Sequence, residues 1–117
     1  MIISKSQGQT VLEIHTQKGL KLFNINRIRY IKSLRKGSVI YLTNLENVKT
    51  NYLIKLYDYY LPSPHFFRCH NSYLINCNLV DCFCSNEIIL KENIRIPLSR
   101  SKKQLFKENL IELQMNS

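Results

Sequence analysis

The stretch Phe66-Phe67-Arg68-Cys69-His70-Asn71-Ser72-Tyr73-Leu74-Ile75-Asn76 decides how the rest of the chain is read. Its opening, Phe66-Phe67-Arg68, has the aromatic density of a β-strand. Asn71 is a residue type that holds its own backbone in a turn. Arg68 alternates with apolar neighbours, which leaves ion pairing and phosphate positioning as equal readings. Tyr73 and Asn76 read as packing and loop-closure residues, and His70 as a turn residue satisfied by a backbone group. The breaker Pro62-Ser63-Pro64 stands just upstream and separates this strand from what precedes it.

Before that breaker the period is helical. Leu53, Leu56, Tyr57 and Tyr60 recur at helix spacing within residues 52–61; Thr50 or Asn51 would cap the start, and Pro62 stops the run. Further upstream the period is two. Residues 10–16 place Leu12 and Ile14 on one face and Glu13 and His15 on the other, a half-buried strand. Lys18-Gly19 turns the chain into a short strand at 20–23, and residues 24–26 punctuate again. Residues 28–34 then form a strand in which Ile28, Tyr30 and Lys32 share a face. The polar tip Arg35-Lys36-Gly37-Ser38 follows, with Gly37 expected to supply the positive φ of a hairpin turn. Residues 39–43, rich in β-branched and aromatic side chains, return as a strand.

Downstream of Asn76 the β pattern continues at 79–83, 87–91 and 94–98, with turns at Ser85-Asn86 and Glu92-Asn93. Residues 99–114 read as a helix, Ser101 and Gln104 being spaced as a capping box. Leu105, Phe106, Leu110 and Leu113 would face the core while Lys102, Lys103 and Lys107 stay wet. The expected fold is mainly β, with mostly antiparallel strands and two short helices, as one domain over residues 1–117.

Composition narrows the partners. Seventeen Lys and Arg against eight Asp and Glu give a formal charge of +9 on 117 residues. Such an excess attracts polyanions and makes their binding depend on salt, nucleic acid being the commonest case. An anionic membrane surface, or charge that merely keeps the chain soluble, are the bland alternatives. The N-terminus lacks the apolar run of a signal peptide, and no stretch approaches the roughly 20 apolar residues that span a bilayer. Cys69, Cys77, Cys82 and Cys84 do not form a secreted disulfide framework; reduced thiols in a bacterial cytoplasm fit best.

Three landmarks, in order, carry a resemblance to a known family. Residues 66–76 resemble the signature of LytTR-type DNA-binding domains: a strand ending in Arg, then His, Arg or Asn, Ser, Tyr, an apolar pair and Asn. Ile96-Pro97-Leu98-Ser99-Arg100 is similar to the family's run at the start of its terminal helix, and Ile28-Arg29-Tyr30-Ile31-Lys32 to its first strand. The resemblance covers roughly residues 10–110. It implies a layered, elongated β-sheet fold with loops along one edge reaching into successive major grooves of promoter DNA, and a role in bacterial transcriptional control. Three segments should then share that edge: Arg35, Lys36 and Ser38; Arg68, His70, Asn71 and Ser72; and Arg100, Lys102 and Lys103. Asn71 carries the amide that pairs bidentately with adenine N6 and N7, and Arg100 the fork that pairs with guanine or grips a phosphate. The resemblance further implies two copies on paired direct repeats, a homodimer on DNA, and an upstream receiver or sensor domain in most relatives. Lys32 stands where the family usually has an acidic residue, and Asn71 where many members have Arg.

Other chemistry finds little support. The cysteines and histidines show none of the usual zinc spacings; Cys82 and Cys84, if in a strand, share a face and read as core thiols. Cys69, beside Arg68 and His70, would gain reactivity if those neighbours lower its pKa. No nucleophile–base motif or Gly-rich phosphate loop is present, so neither an enzyme nor a cofactor is expected. The rival readings are a basic β-barrel-like module for single-stranded nucleic acid, with seven Tyr and five Phe as stacking platforms, and a protein-interaction domain.

Overall fold

The computed structural model describes residues Met1–Met115, so the last two positions of the expected 1–117 domain lie outside the described residues. The chain begins with β1 (Ile2–Ser6), β2 (Gln9–Thr16) and β3 (Gly19–Asn24). A 3-10 turn at Ile25–Arg27 leads to β4 (Ile28–Leu34), β5 (Gly37–Leu42), β6 (Asn47–Thr50) and a short helix, α1 (Ile54–Tyr60). Next come β7 (Phe66–His70), β8 (Tyr73–Asn76), β9 (Val80–Phe83), β10 (Glu87–Leu90) and β11 (Ile94–Pro97). A 3-10 turn at Arg100–Lys102 opens the terminal helix α2 (Lys103–Met115). These strands make three antiparallel sheets, ordered β1-β2-β3, β6-β5-β4-β8-β7 and β11-β10-β9.

The five-stranded sheet is the middle layer because its strands are apolar on both faces. Leu74 and Ile75 are adjacent and both buried, so they face opposite sides of β8. Leu74 joins Ile31, Ile40 and Phe66 in a core closed by Leu12 and Ile14 of β2 and by Ile54 and Tyr57 of α1. Ile75 joins Cys69 in a second core closed by Ile88, Leu90 and Ile96 of the last sheet and by Phe106 and Leu113 of α2. Burying such side chains contributes about 1.5–3 kcal/mol each, and both cores grip the middle sheet.

Several local expectations are corrected. Ile28 does not share the face of Tyr30 and Lys32: a register shift between Ile28 and Tyr30 leaves Ile28 and Ile31 in the first core, while Tyr30 and Lys32 both lie against Tyr73 and Tyr30 stacks on Tyr41 at 4.4 Å. Helix α1 is capped by the backbone of Leu53, without a side-chain bond, and not by Thr50 or Asn51. Thr50 belongs to β6, where its hydroxyl bonds Tyr57 Oη at 2.7 Å and Ser38 Oγ at 3.0 Å. The α1 residues that reach the core are Ile54 and Tyr57, whereas Leu53 and Tyr60 are exposed. No capping box forms at α2, since Ser101 lies in the 3-10 turn and the Gln104 amide donates to Glu108. Its inner face is Phe106, Asn109 and Leu113, with Leu110 half-buried against the same core and Leu105 outside. The thiols are reversed as well: Cys82 and Cys84, on and just past the outer strand β9, are exposed, and Cys69 and Cys77 are the buried pair.

Candidate nucleic-acid interface

Antiparallel pairing brings two hairpin tips to the same end of the middle sheet. Lys32 of β4 pairs with Tyr73 of β8, so the turn after β4 and the turn before β8 are neighbours. The Ser33 amide donates to the Ser72 carbonyl at 2.9 Å and ties them together. Between them lies a crevice of about 300 Å³ lined by Leu34, Gly37, Lys55, Arg68 and Asn71, among others. The start of the C-terminal helix joins from the other side: the Ser99 amide donates to the Cys69 carbonyl at 2.8 Å, and Lys102 Nζ to the Arg68 carbonyl at 2.9 Å. All three expected segments therefore meet.

The first tip is plain. Leu34 pairs with Gly37, leaving Arg35 and Lys36 as an exposed two-residue connection. Gly37 is not at positive φ, as had been expected. It is required because a Cβ there would be driven into the Thr50 carbonyl oxygen of the neighbouring strand. Ser38 is a second correction. It is fully buried in β5, donating to the Tyr52 carbonyl at 2.8 Å, so no ligand outside the fold reaches it.

The second tip is built differently. Phe67 pairs with Ile75 and His70 with Tyr73, so Arg68 and Cys69 together oppose Leu74 alone, a β-bulge immediately before the turn. Both bulge residues lie on the edge strand of the sheet, and their carbonyls are the acceptors taken by Lys102 and Ser99. Arg68 Nη2 donates to the Asn71 carbonyl at 2.8 Å, while its Nε is buried with no partner among the described residues. His70 Nδ1 accepts the Ser72 amide at 3.1 Å, which places the proton of the neutral ring on Nε2. The turn is thus held by its neighbours, and Asn71 is exposed with its side-chain amide unpartnered among the described residues.

Arg100 and Lys103 are exposed, and neither side chain has a hydrogen-bond or ion-pair partner among the described residues. Lys102 departs from expectation: it is half-buried, and its ammonium is bonded to the Arg68 carbonyl. The expectation of a reactive Cys69 is also overturned. Burial pushes its thiol up to about 12, and the Lys102 charge only partly offsets that. Sequence reasoning passed over Ser33 and Lys55, whose placement here depends on long-range strand pairing and leaves no local pattern.

Among the described residues no group of three or more His, Cys, Asp or Glu is placed to hold a metal, and no helix is long and apolar enough to cross a membrane. A family model described as the LytTr DNA-binding domain matches residues 18–111. The transcriptional regulatory protein YpdB of Escherichia coli (strain K12) is 32% identical over 90 residues, covering 72% of this chain, and that of Shigella flexneri gives the same values. The chain spans 36% of the length of these relatives. Among solved structures, a LytTr DNA-binding domain from Bacillus cereus superposes with a TM-score of 0.73 at 22% identity, covering 86% of this chain and 95% of the other. At that identity the likeness bears on fold.

Proposed function

Because this chain belongs to the LytTr DNA-binding domain family, whose members bind DNA in transcription regulation, we propose that it reads duplex promoter DNA through the loops gathered at one end of its middle sheet. The observation that carries this reading is Asn71, an exposed amide with no partner among the described residues, on a turn whose backbone is fastened on every side. An amide presented into a major groove from a held backbone pairs with adenine N6 and N7. Arg100 is assigned to guanine or to a phosphate, and Arg35, Lys36 and Lys103 to phosphates. With its Nδ1 taken by the Ser72 amide, His70 presents Nε2–H as a donor to an acceptor on the DNA, with Ser72 beside it.

In this reading nothing is chemically transformed. Lys and Arg supply salt-dependent affinity, and a few loop side chains supply discrimination. Two copies would occupy paired direct repeats as a homodimer on DNA in a bacterial cytoplasm. Since the relatives are longer, a receiver or sensor domain joined upstream would supply control. The test is competition between a duplex selected from a random library, an unselected duplex and single strands. Preference for the selected duplex is expected; preference for single strands would favour a stacking module, and no binding at all a protein-interaction domain.

A further inference from the structure

We propose that Arg68 and Lys102 are positioning residues, which lock the Asn71 turn to the Arg100 turn across the β7 bulge and do not themselves grip DNA. This rests on the reading of Asn71 given above. Both are cations beside the interface, and charge alone would assign them to phosphates. Their bonds say otherwise. Arg68 directs Nη2 to the Asn71 carbonyl at 2.8 Å and has its Nε enclosed by protein, so one edge of its guanidinium is committed to the loop. Lys102 directs Nζ to the Arg68 carbonyl at 2.9 Å, an acceptor within the bulge of the edge strand β7.

The two contacts run in series. Lys102 holds the bulge against the start of the C-terminal helix, and Arg68 extends from the bulge to the carbonyl of the reading residue. A third link, from the Ser99 amide to the Cys69 carbonyl at 2.8 Å, uses backbone alone and survives side-chain substitution. Arg100 and Asn71 would read two neighbouring positions of one site, so their spacing must be held. Fixing a contact group in its bound geometry raises specific affinity by lowering the ordering cost of binding. Cations used in this way strengthen discrimination without adding to the count of neutralised phosphates.

The test compares Arg68→Met and Lys102→Met with Lys103→Met, the control for loss of an exposed charge. Each is titrated against the selected duplex and an unselected one over a range of salt. Lys103→Met is expected to weaken both duplexes alike and to reduce the salt slope by about 0.9. Arg68→Met and Lys102→Met are expected to weaken the selected duplex about ten-fold, leave the unselected one within about two-fold, and change the slope by less than about half that of the control. Arg68→Met should also add little once Asn71→Ala is present, because the two share one contact. Equal losses on both duplexes, with a slope change matching the control, would overturn the proposal.

Backbone 15N relaxation of the free protein separates this claim from the reading of Asn71. Increased motion at residues 70–72 in Arg68→Met supports the positioning role even if Asn71→Ala loses no discrimination, an outcome that would defeat base reading alone. Unchanged motion there overturns the positioning role whatever the DNA titrations give. Should Arg68→Met fail to fold, Arg68→Lys carries the same measurements, since a flexible ammonium lacks the planar fork.

Discussion

The two hairpin tips at the interface are neighbours joined by one backbone bond, yet they are built on opposite principles. The β4–β5 tip closes on a regular ladder, and its cations, Arg35 and Lys36, are exposed and without partners among the described residues. The β7–β8 tip interrupts its ladder with a bulge, and the segment is fastened by Arg68, His70, Ser99 and Lys102. Exposed charge is adequate for attracting a polyanion, whose phosphates are everywhere alike. Telling one base from another calls for an amide carried on a backbone that is held in place. The contrast suggests a division of labour, with affinity at one tip and discrimination at the other.

The largest effect should come from the regular tip, and it concerns stability. Gly37→Ala forces a Cβ into the Thr50 carbonyl at the β5–β6 contact, with an expected cost of about 3 kcal/mol, seen as a lowered midpoint in thermal or urea unfolding. An unchanged midpoint would mean that the two strands lie further apart than described. Next in size is Asn71→Ala. It should cost ~1–3 kcal/mol of binding to the selected duplex while leaving stability within about 0.5 kcal/mol, because the side chain is exposed. Smaller still, the double change Arg35→Ala with Lys36→Ala should flatten the salt slope by up to about 1.8 and leave the preference for the selected duplex intact. Loss of that preference would erase the proposed difference between the tips.

The buried groups add a prediction about pH. Burial raises the Cys69 and Cys77 thiols from 9.0 to about 12 and Tyr57 from 10.0 to about 12. Unfolded thiols therefore ionise first, the native state binds more protons between pH 9 and 12, and stability falls across that window. Below about pH 9 their contribution is constant. Alkaline unfolding at fixed temperature should show this loss, and thiol labelling at pH 8 should mark Cys82 and Cys84 well before Cys69 and Cys77.

Legibility in the sequence followed the range of the forces involved. The strand at 10–16, the breaker at Pro62 and the landmark at 66–76 are local patterns, and each stands where it was expected. What went unread depends on partners far along the chain. Strands β1, β6 and β8 are short and acquire their pairing from distant strands. Ser38 looks like a tip residue until β6 covers it, and Gly37 looks like a turn glycine until Thr50 is beside it. The site was legible as a set of residue types. Which of its cations are free and which are engaged was not, because the carbonyls that engage Arg68 and Lys102 are brought to them only by the turn after β7 and by the packing of the helix start against that strand.

The central claim is that Asn71 reads a base from a fixed turn. Its most direct measurement is the ratio of affinities for the selected and unselected duplexes, in the native protein and in Asn71→Ala, at one salt concentration. A ratio that falls about ten-fold or more while affinity for the unselected duplex is retained is the predicted result. An unchanged ratio, with both affinities reduced together, would contradict it.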